Sequence, residues 1–166
     1  MTVSLELPDE AATADAARAL VRRLPDDCRG WTILLQGELG AGKSTFARAM
    51  LRAMGHAGAV PSPTYTLVEP YDIDGVAVYH VDLYRIGSEE ELHYLGWDEL
   101  DSGLRLVEWP DRAPGLAASA DIRVALGYSG AGRHMDLEVL SERARTVIGI
   151  EAGNAPPAAP VVPKAD

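Results

Sequence analysis

One segment constrains this chain more than any other: Gly37-Glu38-Leu39-Gly40-Ala41-Gly42-Lys43-Ser44, which matches G-x-x-x-x-G-K-[ST]. The short apolar run Trp31–Leu35 before it, bounded by glycines, reads as a buried strand. The stretch Lys43–Met54 after it reads as a helix that Gly55 stops. Strand, glycine turn and helix in this order impose an α/β architecture. They also make an anion cradle: glycines let successive N–H groups turn inward, and the helix adds the positive end of its dipole. Lysine usage sharpens the point. The chain has 13 Arg and 2 Lys, and Lys164 lies in a Pro-rich terminus, so Lys43 stands where arginine does not substitute. The pattern predicts ATP on Gly37–Thr45, with backbone contacts from Glu38, Leu39, Gly40, Ala41, Gly42 and Thr45. Lys43 then meets the β- and γ-phosphates, and the Ser44 hydroxyl ligates Mg²⁺.

The other elements are weaker but consistent. Ser4–Leu7 reads as an edge strand, and Asp9–Leu24 as a helix presenting Ala12, Ala16, Leu20 and Leu24, ended by Pro25. Thr66–Tyr71 and Val76–Val81 flank Asp74-Gly75, a hairpin signal. Ser88 with Glu91 forms a capping-box pattern that opens a helix towards Leu95. Leu104–Val107 is a further strand, and Ile122–Leu126 and Met135–Leu140 form a second hairpin across Gly127–Arg133. The expected fold is an α/β, P-loop NTPase-like three-layer domain with a mixed sheet over residues 1–150. A Pro/Ala-rich tail at 151–166 is expected to be disordered.

A phosphate loop needs an acid from a strand end to hold Mg²⁺ directly or through water. Glu108 ends Leu104–Val107 and Asp82 ends Val76–Val81, so both are candidates. Ser62-Pro63-Thr64-Tyr65-Thr66 follows the loop's helix, where P-loop switches carry a hydroxyl that senses the γ-phosphate, with Thr64 the candidate. His80 reads as a strand histidine. Trp109-Pro110 reads either as core and turn or as a shield beside the nucleotide. The only asparagine, Asn154, lies in the tail, so an Asn-Lys-x-Asp guanine reader is absent and adenine is expected.

Net charge and composition limit the partners. At −10 with a pI of about 4.8, the chain gains little from counterion release on a nucleic-acid backbone. No apolar run reaches the roughly 18–20 residues of a membrane span. The single Cys28 cannot pair within the chain and suits a reducing cytoplasm, and Met1–Glu10 has no signal-peptide pattern.

Four blocks in this order closely resemble the TsaE (YjeE) family, the P-loop ATPases of bacterial tRNA threonylcarbamoyladenosine biosynthesis. The blocks are Gly37–Thr45, Ser62–Glu69, His80-Val81-Asp82-Leu83-Tyr84-Arg85 and Val107-Glu108-Trp109-Pro110. The resemblance runs from about Leu7 to the second hairpin. It implies that Ser44 and Glu108 hold Mg²⁺, that Lys43, Asp82, Glu108 and Thr64 serve the reaction, and that Ser62–Thr66 is a nucleotide-sensing switch. Thr13 and Arg133 match positions near the nucleotide. The resemblance further implies partnership with TsaB- and TsaD-like proteins, ATP turnover that is slow alone, and contact with tRNA only through those partners. Departures are Glu38 where Asp is usual, Ser44 where Thr is usual, and the added tail; serine keeps the metal hydroxyl. Two other readings compete: a P-loop small-molecule kinase and a nucleotide-dependent assembly module without hydrolysis. Against the kinase, Arg112, Arg123 and Arg133 are scattered, with no arginine-dense lid segment.

Overall fold

In the computed structural model, which describes residues 1–149, seven strands form one mixed sheet. They are β1 (Thr2–Leu7), β2 (Thr32–Gln36), β3 (Val68–Ile73), β4 (Val76–Asp82), β5 (Leu104–Glu108), β6 (Ile122–Ser129) and β7 (Gly132–Val139). Their spatial order is β1-β7-β6-β2-β5-β4-β3. The strands β6, β2, β5 and β4 run parallel, and antiparallel partners close both sides: β7 and β1 beyond β6, and β3 beyond β4. Among the described residues no helix is long and apolar enough to cross a membrane. The tail expected to be disordered, 151–166, lies outside the described residues, as does the boundary at residue 150.

The central strands are apolar on both faces because both faces are covered. Along β2 and β5, Ile33, Leu35, Leu104 and Leu106 join one core with Phe46, Ala47, Met50 and Leu51 of α2 (Lys43–Met54). That core also takes Ala17 and Leu20 of α1 (Glu10–Val21), and Ala144 and Ile148 of α3 (Glu142–Ile148). The alternate residues Leu34, Val81 and Val107 face a second core with Leu83, Ile86, Leu92, Leu100 and Leu116. Three layers are therefore present. The second face, however, is roofed by short 3₁₀ turns at Glu89–Leu95, Trp97–Ser102, Pro110–Arg112 and Pro114–Ala118 instead of α-helices.

Several boundaries move from their sequence expectations for local reasons. α1 is capped by Asp9, whose carboxylate accepts from the Ala12 N–H at 2.8 Å. It ends at Val21, before Pro25, because Arg23 and Leu24 close 3₁₀-type bonds to Leu20 and Val21. Its buried stripe is Thr13, Ala17 and Leu20, one residue round from Ala12 and Ala16, which are half-buried and pack against the same core. The helix expected after Ser88 closes as a 3₁₀ segment up to Gly96, where the chain turns left-handed at φ 69° and a second 3₁₀ segment begins. β3 starts at Val68 because Thr66 and Leu67 stay in a turn, held by the Leu67 N–H on the Pro63 carbonyl at 2.7 Å. The second hairpin is tighter than Gly127–Arg133, since pairing runs up to Ser129 and Gly132. Helix α3, capped by the Ser141 hydroxyl on the Ala144 N–H, is an addition that the sequence reading did not contain.

Candidate functional site

The loop Gly37–Gly42 leaves the carboxyl end of β2 between β5 and β6, the position at which open α/β sheets receive ligands. Its curl depends on glycine. Gly40 (φ +78°) and Gly42 (φ +109°) sit in left-handed backbone, and a Cβ on Gly40 would lie 2.6 Å from the Tyr128 hydroxyl. Gly42 caps α2, which begins at Lys43, so the helix's unpaired N–H groups face the loop. Glu38 and Leu39 are exposed, and the Glu38 carbonyl accepts from the Lys43 ammonium. The Ala41 side chain is buried and anchors the loop in the core.

Lys43 is buried and its ammonium donates to the Gly37 and Glu38 carbonyls at 2.6 and 2.8 Å. It also sits 4.2 Å from the centre of the Trp109 ring. Burial pushes its pKa below the usual lysine range, and the nearby Glu108, Asp82 and Asp111 carboxylates pull the other way. The partners of this cation are thus carbonyls of its own loop, which a phosphate oxygen outcompetes as a charged acceptor.

The two strand-end acids stand side by side, since Asp82 on β4 pairs in register with Glu108 on β5. Both are buried. Their surroundings differ. Glu108 accepts from the Ser44 hydroxyl at 3.0 Å on Oε1 and from His80 Nε2 at 2.6 Å on Oε2. Asp82 accepts from the Tyr84 N–H at 2.8 Å and from the Thr64 hydroxyl at 3.1 Å. Thr64 also exchanges a 2.9 Å hydrogen bond with Ser62, so Ser62–Thr66 is tied to the acid at the end of β4. Arg85 stacks over the exposed Tyr65 ring at 4.3 Å and ties the same segment from outside. Leu67 and Trp109 hold left-handed backbone, at φ 68° and 57°. For bulky residues this is strained, and both flank the site, where such strain collects.

Two pockets meet at the loop. One, of about 200 Å³, is lined by Lys43, Ser44, Thr64, Asp82, Glu108 and Trp109. The other, of about 210 Å³, lies across Gly40, Gly42 and Thr45 and is lined by Leu7, Asp9, Thr13 and Arg133. Fold geometry therefore brings Thr13, 24 residues before the loop's first glycine, and Arg133, on the β7 hairpin, onto one rim with the loop. Arg133 donates to the Gly40 carbonyl at 3.1 Å and stacks on Tyr128 at 4.3 Å, and the Tyr128 hydroxyl donates to the Leu39 carbonyl at 2.7 Å. Tyr128 is a site residue that the sequence reading missed, because nothing in its local pattern points to a loop 89 positions away. His80, by sequence a plain strand histidine, meets Glu108 only through the β4–β5 pairing. Trp109, left open between core and shield, packs against Lys43 and lies 5.0 Å from the Tyr84 ring.

The residues present fit a nucleotide with a hard divalent cation. A cradle of backbone amides, a compact buried cation and a hydroxyl beside a carboxylate are oxygen- and phosphate-directed donors of the type Mg²⁺–nucleotide takes. No cluster of three His, Cys, Asp or Glu side chains arranged for a metal occurs among the described residues. Ser44 and Glu108 are the residues that would hold the ion.

The family profile described as "Threonylcarbamoyl adenosine biosynthesis protein TsaE" matches residues 7–136, which include every site residue named above. The chain belongs to the TsaE family. It is 42% identical over 119 residues to the tRNA threonylcarbamoyladenosine biosynthesis protein TsaE of Haemophilus influenzae, covering 70% of this chain and 75% of that one. It is 39% identical over 116 residues to the protein of the same name from Synechocystis, covering 66% and 71%. The crystal structure of Bacillus subtilis YdiB superposes with a TM-score of 0.71 at 22% identity, over 90% of this chain and 93% of that one. That likeness supports the fold.

Proposed function

We propose that this TsaE-family chain binds ATP with Mg²⁺ on Gly37–Thr45 and hydrolyses it slowly, as the ATPase of tRNA threonylcarbamoyladenosine biosynthesis. The observation that carries the reading is the arrangement at the carboxyl ends of β2, β4 and β5. There Lys43, Ser44, Asp82 and Glu108 line one pocket beside a glycine cradle. In the bound state the Lys43 ammonium moves from the Gly37 and Glu38 carbonyls to the β- and γ-phosphates. Ser44 and Glu108 hold the cation, which supplies charge neutralisation on the transferring phosphate. Asp82, linked to Thr64, orients the attacking water, and Thr64 with its segment reports whether the γ-phosphate is there. Thr13 and Arg133 line the adjoining pocket, where the nucleoside end is accommodated.

The names of the relatives support the pathway, and the partners are TsaB- and TsaD-like proteins that carry the tRNA chemistry. The −10 charge supports indirect contact with tRNA. Phosphate release is the test, measured for the chain alone and with those partners. Slow release that rises when the partners are added is expected; acceptor-dependent ADP formation would assign a kinase, and no release in any mixture an assembly module. Tight tRNA binding by the isolated chain that persists in high salt would overturn the indirect role.

A further inference from the structure

His80 lies deep in the molecule, 1% exposed, on the same face of the sheet as Val78 and the α2 core. Its register partner on β5 is Leu106, and Glu108, two residues on, is the diagonal neighbour that Nε2 reaches at 2.6 Å. Its other ring nitrogen, Nδ1, has no hydrogen-bond partner among the described residues, although it too is buried. A buried polar atom without a partner destabilises the fold, and its same-face neighbours Val78 and Leu106 show that this part of the sheet is otherwise packed with aliphatic side chains. Packing alone therefore does not account for a histidine here. What the imidazole does that an aliphatic side chain does not is donate one N–H to one carboxylate oxygen of Glu108.

The consequence for Glu108 is geometric. A carboxylate on a flexible two-carbon stem at the end of a strand rotates unless something holds it. Oε2 is held by His80, and Oε1 is the oxygen nearer the Ser44 hydroxyl, at 3.0 Å against 3.3 Å for Oε2, in the pocket that Lys43 also lines. We propose that His80 is a positioning residue: its Nε2–H fixes the Glu108 carboxylate so that Oε1 and the Ser44 hydroxyl present one cation-binding pair. Histidine and carboxylate exchange their usual order here. In most such pairs the carboxylate orients a histidine ligand, whereas here the histidine orients a carboxylate ligand. The proposal rests on the Mg²⁺–nucleotide reading above and adds the residue that sets its geometry.

The test is a double-mutant cycle read by binding. ADP affinity is titrated with and without Mg²⁺ for the wild-type chain, His80→Leu, Glu108→Ala and the double variant, and the Mg²⁺-induced gain in affinity is compared. The expected result is a gain about tenfold smaller in His80→Leu, in line with outer-shell partners of metal ligands. Metal-free ADP affinity stays unchanged. The double variant loses no more than Glu108→Ala, because His80 acts through that carboxylate. His80→Gln, whose amide N–H reaches to about the same place as Nε2, restores most of the gain. An unaltered Mg²⁺ gain in His80→Leu, or additive losses in the double variant, overturns the proposal. So does a Gln variant that folds, by its melting transition, yet behaves like Leu. If His80→Leu does not fold, the Gln and Asn pair decides: Gln retaining the gain and Asn losing it supports the assignment, and equal behaviour refutes it. A wild-type chain in which Mg²⁺ gives no gain in ADP affinity would instead overturn the nucleotide reading itself, a separate failure.

Discussion

At the two ends of the same parallel strands lie two buried charge clusters built on different terms. At the amino ends of β2 and β6, Asp121 is 1% exposed and accepts four hydrogen bonds. They come from the Thr32 N–H at 2.9 Å, the Ser141 hydroxyl at 2.6 Å, and Arg143 Nε and Nη2 at 2.7 and 2.8 Å. Arg143 in turn donates to the Gly30 carbonyl and lies over Trp31, which ties α3 to the start of β2. At the carboxyl ends, Lys43 leans on carbonyls of its own loop, Ser44 and His80 share Glu108, and Trp109 beside them holds a strained backbone. The comparison teaches that burial of charge does not by itself mark a site. The difference lies in the partners: Asp121 is held by a guanidinium, a hydroxyl and an N–H, whereas Lys43 is held only by neutral carbonyls, as the proposed nucleotide site requires.

The strongest way to break this contrast is Lys43→Ala. Turnover should fall about 10³-fold, the upper range for losing one preorganised electrostatic donor, while the melting temperature stays level or rises as a desolvated charge is removed. Lys43→Arg should fail as well, since a planar guanidinium does not fit a compact ammonium's place. A calorimetric melt beside the phosphate-release assay checks both halves.

Asp121→Ala should do the reverse. Removing one member of a buried, multiply bonded pair costs about 3 kcal/mol, the low end of the range because Arg143 is half exposed. Urea unfolding measures it, and turnover per folded molecule at low temperature should be unchanged. A loss of activity without loss of stability would dissolve the distinction between the two ends.

Within the site, Glu108→Ala and Asp82→Ala should separate. The first should raise the Mg²⁺ needed for half-maximal turnover by more than the roughly tenfold typical of losing an outer-shell partner. The second should lower the rate with little change in Mg²⁺ demand. A Mg²⁺ titration of both decides, and a shift confined to the Asp82 variant would reverse the two roles.

The smallest effect is a pH dependence at the structural end. Burial alone would raise the Asp121 pKa, but the hydrogen bonds from Arg143, Ser141 and the Thr32 N–H outweigh it and hold the carboxyl below its usual range. A carboxylate with a lowered folded-state pKa contributes stability above its unfolded pKa of about 3.9, and that contribution is lost as pH falls through the folded value. The stability gap between wild type and Asp121→Asn should thus be flat above about pH 5 and close in more acidic solution. A gap that widened on acidification would give the shift the opposite sign.

Legibility differed in the same way between the two ends. The loop, α2 and the caps at Ser88 and Gly55 are contiguous in the chain, so local spacing and turn chemistry revealed them. Asp82 and Glu108 were visible as acids closing apolar strands. Asp121, Ser141 and Arg143 were not, because a charged residue looks the same in sequence whether its partners saturate it or solvent does. The same limit hid α3 and the 3₁₀ roof: their short segments are stabilised by what they cover.

What the chain's sequence determined alone is therefore whatever rests on neighbours within a few residues: the glycine cradle, the helix that starts at Lys43, the Asp74-Gly75 turn. The strand order β1-β7-β6-β2-β5-β4-β3 belongs to the tertiary structure. It brings His80 against Glu108, Tyr128 against Leu39, and Thr13 and Arg133 onto one rim. The reason is physical: a hydrogen bond at 2.6 Å between residues 28 positions apart exists only once two strands have paired in one register, and pairing is chosen by the burial of whole faces.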